Sequence, residues 1–221
     1  CYIRAGIKFP DFIHSPNSNP VSYLKDADMV WDFRSLTPES IHQVSFLFTD
    51  RGTPVGFRHM HGFSSNTYMW YNAKGEYVWV KWHFKTDQGI KNLTDTEATE
   101  LAGKDPDNAT RDLFVSIERE KFPSWTAYVQ IMTPEEAKNY KFDPFDITKV
   151  WFHADYPLIH VGKFTLNRNP KDFFGEIEQA AFSPSSFVYG VGPSPDKLLQ
   201  IRLFSYPDTQ RHRLGTNFHQ I

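Results

Sequence analysis

The sequence predicts an α+β fold, an antiparallel β-barrel or sandwich interrupted by short helices, rather than a doubly wound parallel sheet. Three observations point to it. An aromatic-rich hairpin runs over 67–84, with a turn at 72–75 between two strand-like runs. Two further strand patterns follow, at 125–132 and 158–166. Only sparse, short helical patterns separate these strands.

In chain order, the first thirty-odd residues carry Pro10, Pro16 and Pro20 around Asn17, Ser18 and Asn19, and read as irregular surface chain. Regular structure is expected from Thr37. There Thr37, Pro38 and Glu39 offer a cap, a first-turn proline and an acid at the positive helix end. Ile41, Val44, Leu47 and Phe48 follow at helical spacing, and Arg51 and Gly52 end that helix. Thr94 and Glu97 form a capping box for a helix through Leu101. Asp105 and Pro106 open another, with Ala109, Leu113 and Ile117 on one face. Beyond Asn169 and Pro170 the spacing of Phe173, Ile177 and Ala180 is helical, and Pro184, Pro193 and Pro195 punctuate a long loop.

Composition narrows the function classes. The 221 residues carry 24 Lys and Arg against 26 Asp and Glu, a net charge of −2, which excludes a strongly basic nucleic-acid binder. Aromatic residues make up 16% of the chain, which excludes disorder and requires a core, a partner or a large flat ligand to cover the rings. A single cysteine excludes an internal disulfide and suits a reducing compartment. The clearest apolar run, 44–48, falls far short of the ~18 residues of a membrane span, so a soluble protein is expected. The glycosylation triplets at Asn92 and Asn108 read as chance occurrences.

The last helix carries the chemistry. Ser194 offers a cap, Pro195 a first turn and Asp196 an acid at the positive end. At 100° per residue, Leu198, Arg202, Tyr206, Thr209 and Arg213 fall on one stripe, so a phenol lies between two guanidiniums. Pro207 removes the backbone bond to the Leu203 carbonyl and predicts a bend beside Tyr206. A hard ferric ion demands phenolate, and an arginine one turn away favours that anion. The same spacing also describes a half-buried tyrosine packed beneath an arginine stem.

The run from Arg202 to Thr209 (Arg-Leu-Phe-Ser-Tyr-Pro-Asp-Thr), continued by Arg211-His212-Arg213-Leu214-Gly215, resembles the haem-binding signature of the haem catalases. Lys8-Phe9-Pro10-Asp11-Phe12-Ile13-His14, Arg58-His59-Met60, Lys85-Thr86-Asp87-Gln88-Gly89-Ile90 and Leu166-Asn167-Arg168-Asn169-Pro170 resemble the same family, and the likeness spans the chain. It implies part of an antiparallel eight-stranded β-barrel with inserted helices over 1–168. A wrapping segment with the proximal haem helix would occupy 169–221, in a homotetramer. The chain then reads as the central part of a longer protein. Tyrosinate ligation of haem iron is the mode of this family.

Carried over by motif, Tyr206 would bind the iron, Arg202 would keep it ionised, Arg213 would hold a propionate of haem b, and Phe9 would lie against the porphyrin. His42, Arg51, Lys85, Trp151 and His153 match the family's NADPH site. The implied reaction is dismutation of hydrogen peroxide to water and dioxygen through an oxoferryl intermediate, in the cytoplasm or, in a eukaryote, the peroxisome. The distal His and Asn of the family precede Cys1, and neither His14 nor Asn17 lies in their motif. Asn66 stands where relatives carry a His beside the proximal arginine, which leaves Asp196 as the expected partner of Arg202. His61, Thr49, Ile201 and Gln210 also depart from the usual residues, and His59 with His61 reads as a solvent or turn pair rather than a metal site. Competing readings are a catalase-related hydroperoxide isomerase, a non-catalytic haem-binding fragment and a barrel for an apolar ligand.

Overall fold

Strand propensity and cross-strand pairing produce one antiparallel sheet in the computed structural model, which describes residues 1–220. Strands β1 (Gly62–Phe63), β2 (Tyr68–Tyr71), β3 (Tyr77–Thr86), β4 (Ser124–Met132), β5 (Ile159–Thr165) and β6 (Val191–Pro193) pair in the order β5-β4-β3-β2-β6, with β1 on β3. The expected hairpin is β2 and β3, in register from Tyr68 opposite Val80 to Tyr71 opposite Tyr77. Gly75, at φ 81°, closes its turn in a backbone region that favours glycine. Strand β4 lies along β3 from Trp79 opposite Met132 to Thr86 opposite Trp125.

That register sorts side chains onto two faces. Trp79, Lys81, His83 and Lys85 alternate on one face of β3, whereas Val80, Trp82 and Phe84 occupy the other. Trp79 and Met132 pack with Trp151 in the core beneath the first face. A second core joins Ile3, Ile147 and Leu198, tying the N-terminal segment to the last helix.

Among the described residues seven α-helices accompany the sheet: α1 (Phe9–His14), α2 (Ala27–Ser35), α3 (Ile41–Leu47), α4 (Asp95–Lys104), α5 (Asn108–Glu118), α6 (Pro134–Asn139) and α7 (Lys197–Leu214). The capping box of Thr94 and Glu97 forms as expected, and Thr133 with Glu136 makes a second one for α6. The expectation of irregular chain over the first thirty-odd residues is overturned by α1 and α2. Pro10 sits in the first turn of α1, where its missing N–H leaves no bond unmade, and Asp26 caps α2 by accepting from Asp28 and Met29. The intervening prolines lie in a loop that Asn19 closes by accepting the N–H groups of Val21 and Ser22.

Three boundaries also differ. Helix α3 stops at Leu47, and Asp50–Gly52 forms a separate 3-10 turn, in which a Cβ at Gly52 would stand 2.1 Å from the Leu47 carbonyl oxygen. The helical spacing after Pro170 yields only a π-turn, Phe174–Glu178. The cap of α7 is Asp196, not Ser194, because the carboxylate accepts two helix N–H groups while the Ser194 hydroxyl donates to the Thr67 carbonyl. Pro207 is accommodated within α7, which runs on to Gly215, whose φ of 94° ends it.

Met132 is fully buried (0% exposed) against two tryptophans. Met132→Ala is expected to destabilise the fold by about 2–5 kcal/mol through lost transfer energy and the cavity left behind. Guanidinium unfolding of the purified protein measures the shift in midpoint.

Candidate functional site

Helix α7 presents the first group of candidates, and a relay of hydrogen bonds fixes it. Asp196 is buried; its Oδ1 accepts from Leu198 N at 2.9 Å and Leu199 N at 3.1 Å, and its Oδ2 accepts from Asn66 Nδ2 at 2.7 Å. The Asn66 Oδ1 accepts from Arg202 Nη1, and Arg202 Nη2 donates to the Tyr206 hydroxyl at 3.0 Å. The expected pairing of Arg202 with Asp196 is therefore corrected: the Asn66 amide stands between them. An amide can accept from a guanidinium through its oxygen and donate to a carboxylate through its nitrogen, so one buried asparagine joins both. The turn before β2 makes this possible. Ser65 adopts φ 55° and Ser64 Oγ donates to the Asn66 carbonyl at 2.9 Å, which turns Asn66 toward α7.

Arg202 also lies over the Tyr206 ring, 5.1 Å from guanidinium carbon to centroid. Among the described residues the Tyr206 oxygen accepts from Arg202 and donates to nothing, which leaves lone-pair density for a further partner. Arg213 occupies the same stripe but is largely engaged. Its donors meet the carbonyls of Glu178 and Ala180 and, twice, the Gln210 side-chain oxygen, so one of its five N–H groups remains. Phe9 is brought toward α7 because Gly6 packs on Ile201 so closely that a Cβ there would stand 1.9 Å from the Ile201 Cδ1. The Phe9 ring is 51% exposed and touches the aromatic cluster through Phe12 at 6.4 Å.

The second group converges on a cavity of about 690 Å³ between the charged face of β3, α3 and residues 147–153. His42, Arg51, Lys85, Trp151 and His153 all line it. The 3-10 turn that presents Arg51 sets its guanidinium 5.7 Å from the Phe46 ring, and Lys85 Nζ stands 4.8 Å from that of Phe63. Trp151 is a core residue whose Nε1 donates to the Pro144 carbonyl at 3.1 Å. His59 Nδ1 and the Gly89 carbonyl share a hydrogen bond of 2.9 Å, whereas His61 Nδ1 accepts the Thr86 N–H at 3.0 Å. That acceptor role places the His61 proton on Nε2, and burial followed by the charges of Lys85 and Arg51 hold its pKa down.

Sequence reasoning missed Lys81, His83 and Gln130 on the same wall, although alternation from Lys85 along β3 marks the first two. Gln130 Nε2 donates to the carbonyls of Trp151 and Tyr156, so its Oε1 accepts from His83 Nε2 at 2.9 Å. The His83 Nδ1 is then unprotonated, buried and unpartnered. Burial is the main cause that pushes its pKa down to about 4. An unfolded chain takes up this proton near pH 6.5 while the folded one resists until about pH 4. Stability held above pH 6.5 is thus lost as pH falls toward 4, and His83→Gln is expected to flatten that part of the pH profile when guanidinium midpoints at pH 7 and pH 5 are compared.

Comparison with known proteins gives this arrangement its context. The sequence profile of the catalase family matches residues 1–221. The chain is 61% identical to a catalase of Methanosarcina barkeri and 60% identical to a catalase of Mus musculus, in each case over all of this chain and 44% and 42% of the relative. The solved structure of catalase A from Saccharomyces cerevisiae superposes with a TM-score of 0.97 at 53% identity, covering 100% of this chain and 46% of that one. The chain belongs to the catalase family and spans less than half the length of these relatives.

Proposed function

We propose that this chain forms the proximal half of a haem catalase site, with Tyr206 as the iron ligand, in an enzyme that dismutates hydrogen peroxide to water and dioxygen. The observation that carries the reading is the Tyr206 oxygen, met by a guanidinium 3.0 Å away that is itself held by a buried amide and carboxylate. This donor set fits haem: a single hard oxygen ligand, a positive charge beside it, and an exposed aromatic ring, Phe9, brought to the same helix. Bound there, haem would supply the redox chemistry by which one peroxide is reduced and a second oxidised.

The chain's own residues orient and charge-balance that group. Arg202 complements negative charge on the phenol oxygen, and Asn66 with Asp196 prevents its guanidinium from turning away. Arg213 offers its remaining N–H to a propionate while its other donors keep 178–180 against α7. Residues 1–168 belong, on this reading, to the barrel domain and 169–221 to the wrapping segment of a homotetramer. The pairing of β6 with β2 supports it, since the wrapping segment returns to the sheet beside Asn66.

We further read the cavity at β3 as a site for NADPH. Arg51 and Lys85 supply charge for phosphates, while His42 and His153 border the same space. Arg51→Ala and Lys85→Ala should each weaken NADPH binding by about 10- to 100-fold, the loss of one charge-assisted hydrogen bond, as read by fluorescence titration. For the haem site, Tyr206→Phe in the full-length protein should abolish oxygen evolution from peroxide and the Soret band of the wild type. Retention of both would sink the assignment of Tyr206.

A further inference from the structure

The charged face of β3 buries one amine that the haem and dinucleotide readings leave unused. Lys81 is 6% exposed and lines the cavity, yet it forms no ion pair among the described residues. Its Nζ makes one long hydrogen bond, 3.4 Å, to the Lys149 carbonyl and stands 5.3 Å from the Trp151 ring centroid. An ammonium has three N–H donors, so two lack an acceptor among the described residues, and the pocket shifts the balance toward the neutral amine.

The charges that act on it are carboxylates: Asp196 at the start of α7, and Asp143 and Asp146 in the segment before Trp151, favour the ammonium. Burial outweighs the three carboxylates and pushes the Lys81 pKa down to about 8. A desolvated lysine of this kind carries a larger fraction of the nucleophilic neutral amine near neutral pH than a solvated one. Four residues along the same face, roughly 13 Å at the strand rise, Lys85 stands with Arg51 in the same cavity and supplies positive charge for an anionic group.

We propose that Lys81 is a covalent modification site for aldehydes that carry an anionic group, admitted through this cavity. The Nζ lone pair attacks the carbonyl carbon, the carbonyl oxygen takes up the proton that the nitrogen releases, and loss of water leaves an imine. No oxidant or reductant is needed for that step. The proposal stands on the cavity itself and rests on the NADPH reading only for the prediction that the dinucleotide protects the amine.

The test uses pyridoxal 5′-phosphate on the full-length holoprotein, followed by borohydride, whose hydride reduces the imine to a stable secondary amine, and by peptide mass mapping. Lys81 is expected to be labelled ahead of Lys138, whose side chain is 73% exposed, and saturating NADPH is expected to slow the labelling at least tenfold. Labelling of Lys138 and other surface lysines with Lys81 unmodified overturns the proposal. Labelling of Lys81 that NADPH leaves unchanged upholds it and counts instead against the dinucleotide reading. In Lys81→Arg the Lys81 label should vanish while surface labelling persists; should that variant fail to fold, fragment masses from the wild type still locate the label.

Discussion

Asp196 is the constraint on which the rest of the site depends. Its carboxylate starts α7 by accepting two helix N–H groups, and its second oxygen holds the Asn66 amide. A helix is a rigid rotor once its first turn is fixed: with Leu198 and Leu199 placed, the angular positions of Arg202 and Tyr206 follow at 100° per residue. The same carboxylate therefore sets both where the phenol points and what steadies the arginine beside it. Buried at 1% exposure, Asp196 is satisfied only because the helix terminus and the amide share it. Removal of either partner would leave a desolvated charge incompletely bonded, which costs about 1–3 kcal/mol or more.

The sheet imposes a second constraint by giving β3 two unlike faces. Val80 and Val129 are completely buried on one. On the other, Lys81, His83 and Lys85 are held at the wall of a cavity, and burial lowers the pKa of each. Three basic groups in a row are an odd use of a sheet unless something anionic or polar enters beside them. The arrangement of Gln130 explains how His83 stays uncharged on this wall: its amide is anchored to the Trp151 and Tyr156 carbonyls and offers only an acceptor to His83.

Local signals in the sequence translated well into structure wherever the interaction is short in range. The hairpin of β2 and β3 and the box of Thr94 and Glu97 are set by residues within a few positions of one another, and both form as read. The N-terminal helices were hidden because prolines and asparagines that mark a loop also serve a first turn and a capped entry, as at Pro10 and Asp26. At the site, the stripe of Arg202 and Tyr206 was legible from helical spacing. The partner of Arg202 was not, because Asn66 lies 136 residues away, and only the Ser65 backbone, in an uncommon left-handed conformation, turns it inward. The cap of α7 was misplaced by two residues for a related reason: Ser194 is drawn off by a long-range bond to Thr67.

That bond also shows how the two sites share one support. Thr67 follows Asn66, accepts from Ser194 through its carbonyl, and donates through its hydroxyl to the Pro144 carbonyl at 3.0 Å. The same Pro144 oxygen accepts the Trp151 indole N–H at 3.1 Å, and Trp151 lines the cavity. A carbonyl with two lone pairs thus ties the turn behind the arginine–tyrosine pair to the segment that bounds the charged wall. All the groups in this seam are buried, and no water is required to complete them. The seam is a packing joint, and through it the α7 entry and the cavity wall rest on the same buried hydrogen bonds.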